Sequence, residues 1–138
     1  MSRPVRQNTL EKKLNKWKKV LKLGDWNIQI RYGSNDEMKD HDDVKEECAI
    51  GLLDACSHPE KIAKILISKN YFKEPNYPLV WNLDTLIVHE LIHIILYDKV
   101  ENLPKKTRDS KKMIEIEEHI CDYFSRIIVD MFKRNKKS

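Results

Sequence analysis

The spacing of apolar positions changes along the chain, and each change predicts a different element. From Thr9 to Leu23, Leu10, Leu14, Trp17 and Val20 or Leu21 recur at intervals of three and four, with lysines between them. That is an amphipathic helix. Asn8 or Thr9 is placed to cap its start and Gly24 to stop it. The interval then drops to two. Trp26, Ile28, Ile30 and Tyr32 alternate with polar residues, the pattern of a half-buried strand. Gly33 to Glu47 is acidic, polar and without period, an exposed loop that opens on the turn Gly33-Ser34-Asn35-Asp36. Cys48–Cys56 and Ile62–Ser68 read as two further strands around the turn Ser57-His58-Pro59-Glu60. The second of these has apolar residues on both faces. Tyr71 to Pro78 is a connection rich in Pro, Asn and Tyr.

Helical spacing returns in the apolar run Thr85–Leu96, which Asn82 or Asp84 would cap and which ends near Tyr97-Asp98. Lys99 to Asp109 is a polar loop containing Pro104. A last helix spans about Ser110 to Lys133, with Met113, Ile116, Ile120, Phe124, Ile127 or Ile128, and Met131 as its apolar stripe. The basic tail 133–138 is expected to fray. The pattern predicts an α+β fold: an N-terminal helix, a three-stranded sheet and two long helices.

Composition narrows the class. A chain of 138 residues is expected to form one domain, 1–138, with one real core. No apolar run reaches the roughly 20 residues of a membrane span. The first residues are polar and lack the apolar core of a signal peptide. Cys48, Cys56 and Cys121 are odd in number and form no Cys-x-x-Cys pair, which favours free thiols in a reducing compartment. A cytoplasmic protein is expected. The net charge of +4 is segregated: residues 1–34 carry nine Lys/Arg against two acids, and residues 35–60 carry two against nine. Such runs are ordinarily solvated faces. Nucleic acid is the sharper alternative partner, although no nucleic-acid motif accompanies the charge.

The chemistry sits in the apolar helix. His89-Glu90-Leu91-Ile92-His93 places two imidazoles four residues apart, on one helix face. Neutral imidazole binds zinc readily, and a catalytic zinc keeps one position open for water. Glu90 is the catalytic candidate, a carboxylate able to take that water's proton. The plain alternative is two core histidines satisfied locally. A buried Glu between them would then be costly without a partner.

Two histidines need a third ligand. The last helix offers Glu115, Glu117, Glu118, His119 and Asp122. Glu118 and Asp122 share a face, so one can bind the metal while the other accepts the outer N–H of a ligand histidine. That pairing ranks Glu118 above Glu117 and His119. A cluster of acids early in a helix also suits the helix dipole without any metal.

His89-Glu90-Leu91-Ile92-His93 followed by Glu118-His119-Ile120-Cys121-Asp122 resembles the zincin metallopeptidases. More narrowly it resembles the gluzincins, whose downstream helix carries Glu-x-x-x-Asp. The chain is similar to minimal gluzincins and to small metallopeptidase-like proteins of phage and mobile elements. The resemblance implies a minimal zincin fold with Zn²⁺ on His89, His93 and Glu118, and Asp122 behind a ligand histidine. It implies hydrolysis of a peptide or protein substrate, laid along the sheet edge that borders the cleft. Ile62–Ser68 is the candidate for that edge. It also implies a His or Tyr that stabilises the oxyanion, with Tyr97 and Tyr123 as candidates. The alternative function is a catalytically silent, zinc-stapled binding module for nucleic acid or a protein partner.

Overall fold

The computed structural model describes residues 6–34, 36–38, 51–57, 60–68, 82–100, 103–108 and 110–136. The chain forms two compact units, Met1–Leu79 and Val80–Ser138. Its described elements are four helices and one mixed three-stranded sheet, an α+β composition.

The first unit starts with α1, Gln7–Val20. Leu10, Leu14 and Trp17 are its buried line, as the period of the sequence requires. Its ends differ from expectation. The N-cap is Arg6, which makes no side-chain cap, and neither Asn8 nor Thr9 has that role. The helix also stops before Gly24. Lys22 takes the left-handed conformation at φ 58°. The Lys22 N–H then donates to the Lys19 carbonyl and the Leu23 N–H to the Lys18 carbonyl, at 3.2 and 2.8 Å. This is a Schellman ending, and it buries Leu23 behind it. A lysine occupies the position that usually favours glycine.

The strands are β1 (Asn27–Gly33), β2 (Gly51–Ser57) and β3 (Ile62–Ser68). Alternation in β1 buries Ile28 and Ile30. Gly33 closes that strand where a Cβ would lie 2.6 Å from the buried Met38 sulfur, so a larger residue there would force Met38 to shift. Residues 48–50 of the expected second strand, and 39–47 of the acidic loop, lie outside the described residues. The strand order is β1-β3-β2, with β3 parallel to β1 and antiparallel to β2. Ile62–Ser68 is therefore the central strand, which corrects its assignment as a substrate-binding edge. The physical reason is visible in its burial: Ile65, Leu66 and Ile67 are all fully covered, on both faces. Both of its hydrogen-bonding edges are occupied as well.

The second unit holds α2 (Leu83–Val100), the short α3 (Lys105–Arg108) and α4 (Lys111–Lys136). The α3 turn lies inside the stretch expected to be loop, where the Thr107 and Arg108 N–H groups bond to the Pro104 carbonyl. Helix α4 packs on α2. Its covered line is Cys121, Ser125 and Val129; of the expected stripe, Met113, Ile120, Ile127 and Ile128 are half-buried. Ile116, Phe124 and Met131 of that stripe are 44–57% exposed. No helix among the described residues is long and apolar enough to cross a membrane.

Candidate metal centre

The phase of α2 is set at its first turn. Asn82 is the cap, and Asp84 falls inside the first turn. The Thr85 N–H and hydroxyl both donate to Asn82 Oδ1, at 2.8 and 3.0 Å, and the Leu86 N–H donates to the Asn82 carbonyl. Seven residues on from Asn82, His89 begins the ligand face, and His93 follows one turn later. Their Nε2 atoms are 3.2 Å apart, and the rings meet edge to face with centroids at 4.9 Å.

Helix α4 supplies the opposing oxygens. Ser110 caps it through its hydroxyl to the Met113 N–H. Glu118 straddles the histidine pair, with Oε1 2.8 Å from His93 Nε2 and Oε2 3.5 Å from His89 Nε2. Asp122 lies behind His89: its Oδ1 is 2.9 Å from Nδ1, though off the axis of the ring N–H. Glu117 Oε1 is 3.6 Å from Nδ1 of His93, with the buried Cys121 thiol beside the same ring. Cys121 and Ser125 are both fully covered and small, which lets α4 approach α2 closely enough for these contacts. Glu90 is 4% exposed, and its Oε1 is 3.9 Å from His89 Nε2.

The electrostatics follow from this crowding. Burial works against charge on His93, but Cys121, Glu117, Glu118 and Glu90 outweigh it, and the group titrates well above its ordinary value. Glu118 is held far below the usual carboxylate range by His89 and His93. Burial pushes Glu90 up, with the two histidines opposing. Burial also raises Cys121, against the pull of His93. Four carboxylates thus surround two imidazoles, and the point between the Nε2 atoms and Glu118 favours positive charge.

A metal ion fits that point. Donor atoms of His89, His93 and Glu118 all lie within 4.8 Å of one another. Tetrahedral zinc with bonds of about 2.0–2.2 Å needs donor separations of about 3.3–3.6 Å. The two Nε2 atoms are 3.2 Å apart, and Glu118 meets them with different oxygens, Oε1 at 2.8 Å from His93 and Oε2 at 3.5 Å from His89. For Glu118 Oε1 to share a metal with His93, their contact must open by roughly half an ångström.

The chain matches no family model, no curated protein and no solved structure.

Of the third-ligand candidates, Glu118 joins the two histidines; His119 points to solvent as an exposed residue, and Glu117 faces the outer side of His93. Of the two tyrosines, Tyr97 is half-buried one turn beyond His93. Tyr123 is 64% exposed and stacks edge to face on Phe124. Five residues past Glu118, it lies about 140° round α4 from that ligand. Sequence reasoning missed the roles of Glu117 and Cys121 beside His93. Their i, i+4 spacing repeats that of Glu118 and Asp122 one residue earlier, and that repeat was the available signal.

Proposed function

We propose that this chain is a zinc-dependent peptide hydrolase of gluzincin type, with His89, His93 and Glu118 as metal ligands and Glu90 as general base. The observation that carries the reading is the gathering of His89, His93 and Glu118, whose donor atoms lie within 4.8 Å of one another, with the carboxylate of Glu90 buried beside it. Glu118 is half exposed at its side chain, so one side of the centre faces solvent. A purely structural zinc site is closed.

When bound, the metal supplies Lewis acidity toward a carbonyl oxygen and lowers the pKa of water to about 7. The protein's residues do the rest. Glu90, held in a dry environment one residue from a ligand, accepts the proton of the attacking water and returns it to the departing amine. Asp122 lies against the outer nitrogen of His89 and fixes how that ring presents Nε2. Glu118 balances the charge of the metal. Tyr97, one turn after His93, is the better placed of the two tyrosines to face a developing oxyanion.

The test is Glu90→Gln. The variant should bind one zinc as the native chain does, while turnover on a peptide library falls by about 10²–10⁴. Cleavage at the native rate would remove Glu90 from the mechanism. A native chain that binds zinc but no hydroxamate would favour a closed, structural ion.

A further inference from the structure

Helix α4 sets a carboxylate near the outer nitrogen of each of the two histidines, and only one of these belongs to the reading above. Asp122 faces Nδ1 of His89 at 2.9 Å. Five residues earlier, and so on the other side of Glu118, Glu117 faces Nδ1 of His93 at 3.6 Å. Glu117 is 26% exposed at its side chain, against 51% for Glu118, so it is the more covered of the two carboxylates. A ligand imidazole has one nitrogen for the metal and one left over. The group on the left-over nitrogen sets the tautomer and the ring's direction.

We propose that Glu117 is the positioning residue for His93, the counterpart of Asp122 at His89. The proposal rests on the metal-site reading. At 3.6 Å the carboxylate is an ion-pair neighbour and just beyond hydrogen-bond reach. The same contact becomes a hydrogen bond once Nε2 releases Glu118 Oε1 to a metal and the ring settles toward α4. Glu117 then holds the proton on Nδ1, leaves the lone pair on Nε2, and adds negative charge behind a ligand that faces a dication. The buried Cys121 thiol is the other neighbour of this ring. As a weak, soft partner it is expected to pack against the imidazole and leave its orientation to the carboxylate.

The experiment uses the full chain, with Zn²⁺ as the probe and affinity read by competition with a chromophoric chelator. The His93 tautomer is read from ring nitrogen NMR shifts. Glu117→Ala should weaken zinc binding about 10- to 100-fold and mix the tautomers of His93. Glu117→Gln keeps an acceptor oxygen and should recover most of the affinity. Circular dichroism in chelator should be the same for all three chains. Cys121→Ala should change affinity no more than a few-fold. Native affinity and a single tautomer in Glu117→Ala would overturn the proposal, as would a full loss in Cys121→Ala alone. If the native chain bound no zinc, the metal reading and this inference would fall together. If zinc bound, weakened as stated, but no peptide were cleaved, only the hydrolase reading would fall.

Discussion

Glu118→Ala separates metal binding from folding. A ligand that binds only the folded chain stabilises it by about 2.7 kcal/mol when present at 100 times its Kd. With an unfolding entropy of about 2.1 cal/mol/K per residue, the 138-residue chain loses or gains about 3–4 °C of Tm per kcal/mol. Zinc should therefore raise the native Tm by about 9 °C under those conditions. If the unit Val80–Ser138 melts by itself, the same free energy spreads over fewer residues and the shift roughly doubles. Glu118→Ala removes one of three donors and should reduce the zinc-induced shift to about 2 °C or less at the same free zinc. In chelator the two chains should melt within a few degrees of each other. His93 keeps Glu117 and Glu90 beside it, so removing Glu118 does not leave its buried ring without a carboxylate partner. Differential scanning calorimetry with buffered free zinc makes the comparison. An equal zinc shift in both chains would refute Glu118 as ligand. No shift in the native chain would refute the site.

Two predictions concern the first unit. Lys22→Gly should stabilise the chain by about 1 kcal/mol, because Lys22 holds φ 58° against the steric preference of an L-residue; urea unfolding checks it, and a destabilised variant would contradict the helix-ending assignment. The Arg31 guanidinium, which bonds Glu37 at 2.5 and 3.1 Å, holds the Glu37 carboxyl at about 2. Because that pKa lies below its unfolded value, the contribution to stability is present above about 4.5 and is lost as pH falls through 2. NMR titration of Glu37 should show this midpoint, and Arg31→Met should return it toward 4.5.

The ligand pair was legible because helical period alone puts His89 and His93 on one face, and the cap at Asn82 fixes which face. The bounds of Ile62–Ser68 were legible for a similar reason: an apolar run framed by polar turns. Its place in the sheet was not, because periodicity gives the faces of a strand and not its neighbours. Even so, apolar residues on both faces are what a central strand requires. The last helix misled for a deeper reason. Hydrophobicity ranks Ile116, Phe124 and Met131 as the covered face. The structure covers Cys121 and Ser125 there and brings Glu117, Glu118 and Asp122 to the histidines. Carboxylates gathered on the packed face override the apolar stripe there. The end of α1 shows the same limit on a smaller scale: Gly24 was the residue expected to stop the helix, yet hydrogen bonding ends it at Lys22.

X-ray absorption at the zinc edge, on the native chain loaded with one equivalent of zinc, reads the coordination of His89, His93 and Glu118 directly. Two imidazole nitrogens at about 2.0–2.1 Å, one carboxylate oxygen at about 2.0–2.2 Å and one exchangeable light-atom ligand are expected. A sulfur shell at about 2.3 Å, or an ion coordinated by water alone, would contradict that ligand set.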